Sequence, residues 1–217
     1  MKTFASVAEL TAQTLKAGEK VRLDRYYADG DLVEGLIYEI QSSGSADGYI
    51  DHAVVNGIAK LIKGDTLTYA QAGAKGDGTT VDSAAIKAMY LHADVKYFIA
   101  QRGKTYIHDG TSIIIPENSV TDLRGATVKL QAGSYSANVY FFRNSTSVNY
   151  DAGTPIQRGF KVIGGTIDGN EANVTMTAAS TNAYWFYQCD DVTLDGIKII
   201  NLDGDNGALA GITFRFS

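Results

Sequence analysis

Three short windows of the chain repeat one pattern. "LRGATV" from Leu123, "VIGGTI" from Val162 and "LDGIKI" from Leu194 each carry an apolar residue, a glycine two positions on (Gly125, Gly164, Gly196) and an apolar residue three beyond that (Val128, Ile167, Ile199). Equal local pattern at unequal spacing fits stacked coils of short strands, with longer insertions looping out from one side. Further strand candidates lie between the windows: "KYFIA", "KTYIH", "TSIIIP", "NVYFFR" and "YWFYQ". Helical spacing nearly vanishes after Leu91. The repeats alone leave two architectures open, a parallel β-helix and a two-sheet β-sandwich, since both need many short strands.

Composition narrows the partners. Hydrophobic residues make up 45% of the 217, enough for a packed core, and charged residues 20%. Lys and Arg number 19 against 24 Asp and Glu, a net charge of −5 with no basic block, which argues against nucleic acid. Cys189 stands alone and cannot close an intrachain disulfide. The opening "MKTFASVAEL" is broken by Glu9 well short of a signal-peptide core, so no cleaved leader is expected. No apolar run approaches the ~20 residues of a membrane span. "NST" at Asn144 and "NVT" at Asn173 match the glycosylation pattern but read as turn residues in that context.

The first 66 residues read as a small α+β module. "SVAELTAQTLKAG" predicts a helix from Ser6 to Gly18, with Ser6 and Glu9 forming a capping box. Val21 and Leu23, then Leu36, Tyr38 and Ile40, alternate as half-buried strands do. "ADGDLVEG" between them reads as a turn, and Asn56-Gly57 predicts a hairpin with a type I′ turn. The period changes again at "LTYAQAGAKGDGTTVDSAAIKAMYL". Gly73, Gly76 and Gly78 form a tight polar cluster, and Asp82 or Ser83 starts a helix, with Asp82 placed to cap it. "GAKGDG" lacks the Gly-Lys-Ser/Thr ending and the spacing of a nucleotide-binding loop.

That stretch resembles a known family. "AGAKGDGTTVDSAAIKAM" is similar to the segment that opens the β-helix of pectate-lyase-like right-handed parallel β-helix proteins, especially bacteriophage tailspikes. The matching positions are Gly73, Ala74, Gly76, Asp77, Gly78, Thr79 and Asp82. In that family the following helix covers the N-terminal end of the coils. "GEKVRLDRYYADGDLVEGLIYEI" also looks like the small module that precedes the segment in many tailspikes. The resemblance implies a mainly β chain in three parts. These are a small α+β head over 1–66, a glycine-rich turn and capping helix over 67–95, and right-handed parallel β-helix coils over 96–217. It further implies a homotrimer, a virion location, contacts with tail or baseplate proteins, and a bacterial surface polysaccharide as ligand. The chain stops at "GITFRFS", inside an alternating strand, so the expectation is a truncated piece of a longer protein or a chain whose last coil depends on a partner chain.

Enzymes on this fold mostly cut polysaccharides, by a carboxylate pair or by a base with stabilisation of an enolate-like intermediate. Asp203 and Asp205 sit two apart and could share one face of an extended segment, which makes them the candidate catalytic pair. Asp168 and Asp195 precede glycines, as turn residues do, and Asp190 and Asp191 point to opposite faces of a strand. "DGDNG" from Asp203 starts like a calcium loop but has Phe214 at the twelfth position, and His52, His92 and His108 lack ligand spacing, so neither metal nor cofactor is expected. Trp185 and Tyr187 share one strand face and Tyr184 and Phe186 the other. One face must fill the interior, and the Trp185–Tyr187 face is the candidate platform for stacking on sugar rings. The functions left open are a depolymerising tailspike, a non-catalytic attachment and trimerisation module, and a bacterial polysaccharide lyase or glycoside hydrolase.

Overall fold

The computed structural model describes residues 1–92, 94–144, 156–177, 179–202 and 210–215. The head is a five-stranded sheet of β1 (Lys2–Phe4), β2 (Lys20–Leu23), β3 (Ile37–Gln41), β4 (His52–Val54) and β5 (Gly57–Leu61), in the order β1-β2-β3-β5-β4, with helix α1 (Val7–Thr11) against it. β1 runs parallel to β2 and the other pairs are antiparallel. Val21, Leu23, Leu36, Tyr38 and Ile40 are buried, as their alternation predicted.

Two local expectations for the head are corrected. Helix α1 ends at Thr11, not Gly18. Ser6 Oγ does accept from Glu9 N, and Glu9 Oε2 reaches back to accept from Ala5 N. Beyond Thr11, Asn56 holds the backbone of Leu15 by both its polar atoms, at 3.2 Å to the amide and 2.6 Å to the carbonyl. That tertiary clamp replaces the intrahelical bonds the segment would otherwise make. The hairpin between β4 and β5 is likewise not type I′. Val54 pairs with Gly57, so Val55 and Asn56 are the central residues, and neither is among the described residues with positive φ. Gly57 is needed for proximity, since a Cβ there would collide with the Gln41 carbonyl.

After the head, the chain winds. The first turn carries β6 (Thr66–Thr68), β7 (Asp77–Val81) and helix α2 (Ser83–Tyr90); the second carries β8 (Tyr97–Ile99), β9 (Thr105–His108) and β10 (Ile113–Ile114). The third carries β11 (Ser119–Asp122), β12 (Thr127–Leu130), β13 (Gly133–Tyr135) and β14 (Val139–Arg143). In the fourth lie β15 (Gln157–Ile163), β16 (Thr166–Asp168), β17 (Val174–Met176) and β18 (Thr181–Tyr187). β19 (Cys189–Asp195), β20 (Lys198–Ile200) and β21 (Ala210–Arg215) make the fifth. Equivalent strands stack into three all-parallel sheets, β6-β8-β11-β15-β19, β7-β9-β12-β16-β20 and β10-β14-β18-β21 (in space the first is ordered from β19 to β6). A two-stranded parallel pair, β13-β17, sits beside them. Parallel stacking of successive turns is a parallel β-helix and excludes the sandwich, whose neighbouring strands are antiparallel.

Inward side chains form columns. Leu67, Phe98, Thr121, Val162 and Leu194 stand in register on one wall, and Tyr106, Val128, Ile167 and Ile199 on the next. On the third wall Phe142 stacks on Tyr184 with ring centroids 5.6 Å apart, and Phe186 on Phe214 at 5.7 Å. Offset aromatic stacks of this kind each contribute about 0.5–1.5 kcal/mol beyond area burial. The repeat seen in sequence is half in register. Val128, Ile167 and Ile199 do align, but Leu123 does not lie over Val162, because Thr121 holds that place. The corner before β12 spans Leu123 to Ala126, whereas Gly164 and Gly165 alone make the corner before β16. The longer corner shifts the first half of the window by two residues.

Helix α2 follows β7, where later turns carry a third strand, and it packs against β9 and β10. Ala85, Ile86 and Met89 are buried, and Tyr90 stacks on Phe98 at 4.2 Å. The Tyr90 hydroxyl bonds Thr121 Oγ1 at 2.9 Å and Tyr69 Oη at 3.2 Å, so the one polar residue of that inner column is satisfied by the cap itself.

Candidate functional site

The glycine segment is a fixed support, not a ligand cradle. Gly73, Gly76 and Gly78 all have positive φ. Asp82 stands at the N-cap position of α2 but makes no capping bond. Its carboxylate instead accepts from Lys75 N at 2.7 Å and Gly76 N at 3.2 Å, tying the loop shut. Burial pushes the Asp82 carboxyl up to about 6, against the pull of those two amides. Ser83 Oγ takes the Asp109 amide at 2.8 Å and so joins the cap to the second turn. Asp77 closes its own turn, accepting from Thr79 N and Thr80 N at 2.8 and 2.7 Å, and these bonds hold its carboxyl well below the ordinary range.

The sheet β10-β14-β18-β21 has the face richest in aromatics. Every residue from Thr181 to Tyr187 is buried. Tyr184 and Phe186 belong to the main core, while Trp185 and Tyr187 join Tyr140 in a second, separate cluster, so the two-face division read from sequence is observed. Trp185 meets Tyr140 edge-on at 5.1 Å, and the Arg143 guanidinium lies 5.0 Å above the Tyr140 ring. Trp185 is 8% exposed and Tyr187 2%, so in this chain their rings are packed rather than presented. Asn144 extends the sheet: its side chain accepts from Tyr187 N at 2.8 Å and donates to Tyr187 O at 2.7 Å, as a neighbouring backbone would. Tyr140 and Arg143 were not singled out in the sequence. They belong to the preceding turn, and only the coil register brings them to Trp185.

The acidic candidates are dispersed. Asp203 and Asp205 lie outside the described residues. Asp168 Oδ1 accepts from Asn170 N and Asn201 Nδ2, each at 2.9 Å, with Lys129 at 3.8 Å from its other oxygen, which suits a turn brace. Asp190 sits 3.7 Å from Arg158 on the neighbouring turn, and Asp191 has positive φ. Asp195 is exposed beside Gly196. Among the described residues no cluster of His, Cys, Asp and Glu could hold a metal ion. Cys189 is buried, and burial pushes its thiol up to about 11, which leaves it unreactive at neutral pH. Burial likewise pushes the imidazoles of His52 and His108 down to about 4.

No protein-family model and no curated protein matches the chain. Solved structures do. Pantoea stewartii WceF, described as a glycan biofilm modifying enzyme with a bacteriophage tailspike-like parallel β-helix fold, is 16% identical with a TM-score of 0.50, over 86% of this chain and 32% of its own. Full-length tailspike protein 2 of an Escherichia coli O157:H7 bacteriophage is 15% identical with a TM-score of 0.47, over 98% of this chain and 38% of that one. The enzymatically active domain of tailspike protein 2 from bacteriophage CBA120 is 13% identical with a TM-score of 0.46, over 95% and 42%. The chain thus spans well under half the length of each. What it shares with WceF is the fold: this is a tailspike-like parallel β-helix preceded by a small α+β head.

Proposed function

We propose that this chain belongs to a tailspike-type receptor-binding protein of a phage virion that recognises a bacterial surface polysaccharide, capsule or lipopolysaccharide O-chain. In this reading the whole protein is a homotrimer that depolymerises the glycan. The supporting observation is the uninterrupted stack of parallel turns sealed at its N-terminal end by α2. Such a stack presents long, straight lateral faces on which an extended polymer can lie across several turns. The likeness in fold to a glycan biofilm modifying enzyme supports the same reading. The test is binding of the chain to purified capsule and O-antigen from a panel of bacteria. Salt-resistant, saturable binding to at least one polymer is expected, and indifference to all of them would sink the proposal.

A second reading, attachment and trimerisation without cleavage, is favoured by one observation. Asp168 and Asp190, two of the acids picked out by sequence, are engaged by neighbouring side chains, as a structural role requires. Incubation with a bound polymer separates the two. New reducing ends or ultraviolet absorbance of unsaturated sugars would assign cleavage to this chain and overturn the second reading for it, and their absence with binding intact would assign attachment alone to these residues.

A further inference from the structure

A cleft of about 430 Å³ opens where the head meets the first turns of the β-helix. That volume lies within the range of roughly 300–1,000 Å³ typical of small-molecule sites. One wall is the head loop from Tyr26 to Val33, the second is the glycine segment from Ala70 to Asp77, and the third is the β-helix corner with Gln101 and Lys104. Three segments far apart in sequence converge here, on a backbone that Asp82 and the Tyr27 hydroxyl hold rigid. The latter donates to the Gly73 carbonyl at 2.8 Å. A site built on a fixed frame loses little entropy when it binds.

The side chains that face the cleft divide into two kinds. Leu32 is 71% exposed and Tyr27 37%, so both offer apolar surface to the opening. Around them stand charges of both signs. Lys104 Nζ is 2.6 Å from Asp31, bridging helix corner and head. The Lys75 ammonium sits 4.8 Å above the Tyr27 ring with no carboxylate partner among the described residues. Asp29 likewise has no hydrogen-bond or ion-pair partner among them. A polyanion such as a nucleotide would meet three carboxylates (Asp29, Asp31, Asp77) against two ammoniums. A wholly apolar ligand would strip water from all five. A pyranose suits both kinds of surface. Its C–H face covers Leu32 and the Tyr27 edge, while its hydroxyls donate to carboxylates and accept from ammoniums.

We propose that this cleft is a saccharide-binding site that takes one or two neutral, hydroxyl-rich pyranose units, with Asp29 and Lys75 as the polar contacts and Tyr27 and Leu32 as the apolar floor. The inference shares with the functional reading above only the premise that the ligand is a glycan. It requires neither a long polymer nor cleavage.

The experiment titrates the full chain with methyl glucoside, galactoside, mannoside and N-acetylglucosaminide, with methyl glucuronide as the acidic arm and glycerol as control, read by chemical-shift changes. At least one neutral glycoside is expected to shift Tyr27, Leu32 and Lys75 saturably, while glycerol does not. Asp29→Ala and Lys75→Met, checked for unchanged melting, should each raise Kd by about tenfold. Three results would overturn the site: no glycoside shifts these residues, the variants leave Kd unchanged, or glucuronide outcompetes every neutral sugar. If the cleft binds sugars but the chain ignores every surface polysaccharide, the receptor reading falls and the cleft stands. If polymers bind equally well to wild type and to both variants, the cleft falls and the receptor reading stands.

Discussion

The head and the coil stack are held together by different means. In the head, single side chains tie down particular stretches of backbone, both near and far in sequence. Asn56 clamps Leu15, the Tyr26 hydroxyl donates to the carbonyls of Gly48 and Tyr49, and Asp47 accepts from Tyr49 N, Ile50 N, Asp51 N and His92 Nε2. Burial alone would raise the Asp47 carboxyl, but those four donors hold it well below the usual range. In the coils single ties such as Asn144 to Tyr187 exist, but most of the core is a column in which an inward apolar residue stands over another, from Tyr106 through Val128 and Ile167 to Ile199. A column spreads the loss of one member over its neighbours. A tie has no such neighbour. The head should therefore fail at particular residues, and the stack should fail gradually.

The largest effect expected on this contrast is that of acid, because it strikes both regions at once. His52 lies between Tyr26 and Tyr38 in the head, and His108 is stacked on Phe141 in the coils at 4.7 Å. Burial holds both imidazoles neutral, with folded values near 4 against 6.5 when unfolded. A histidine whose pKa is depressed by folding contributes stability that is complete above pH 6.5 and is lost as pH falls towards 4. Each should cost about 3 kcal/mol across that window. Asp82, raised by burial, works with the opposite sign and offsets part of the loss. Denaturant melts at pH 7 and pH 4.5 of His52→Phe and His108→Phe check this. Each variant should lose less stability on acidification than wild type, and an unchanged pH slope in either would remove that histidine from the account.

Next in size is Gly73→Ala. The residue has φ +81°, and an added Cβ would enter the Tyr26 ring, which its own hydroxyl bonds hold in place. Backbone strain and overpacking together should cost about 3 kcal/mol, roughly 6–12 °C in Tm for a chain of this size. Val128→Ala in the coils, with a column above and below to settle, should fall at the low end of the 2–5 kcal/mol seen for buried aliphatic truncation. Calorimetry on both variants orders them. A column truncation clearly more damaging than Gly73→Ala would reverse the contrast.

The same contrast decides what could be read in the sequence. The coils were legible where their rule is local: "KYFIA", "KTYIH", "TSIIIP", "NVYFFR" and "YWFYQ" fall on β8, β9, β10, β14 and β18, and the glycine windows gave the register of Val128, Ile167 and Ile199, whereas β11, β13 and β17 are too short and polar to stand out. The misplaced half, Leu123 over Val162, failed because a corner of four residues and one of two look alike when glycines are aligned. In the head, β2, β3 and the β4–β5 hairpin were legible, whereas β1 and most of the connections were not. Asn56 reads as a turn residue and Asp82 as a helix cap, since both types favour those places. Asn56 does sit in the β4–β5 turn and Asp82 at the N-cap of α2, but each spends its side chain on backbone groups elsewhere, Leu15 in one case and the Lys75–Gly76 amides in the other. The cleft had no sequence signal at all. Tyr27, Asp29, Lys75 and Lys104 come from three segments that only the fold brings together.

The smallest effect isolates backbone conformation from neighbourhood. Gly78, in the glycine segment, and Gly103, in a coil corner, both have φ +76°. A Cβ at Gly78 would meet Thr105 no closer than 3.8 Å, and at Gly103 nothing lies within 4 Å. With sterics removed, only the left-handed conformation remains, which costs an L-residue about 1 kcal/mol. Gly78→Ala and Gly103→Ala should therefore lose the same stability within about 0.5 kcal/mol, although one stands in a strand of the first turn and the other in a corner of the second. Equal values would locate the fragility of Gly73 in its contact with Tyr26. If Gly78→Ala were as costly as Gly73→Ala, the strain would belong to the whole segment, and the fixed frame on which the cleft is built would rest on backbone conformation rather than on the tyrosines.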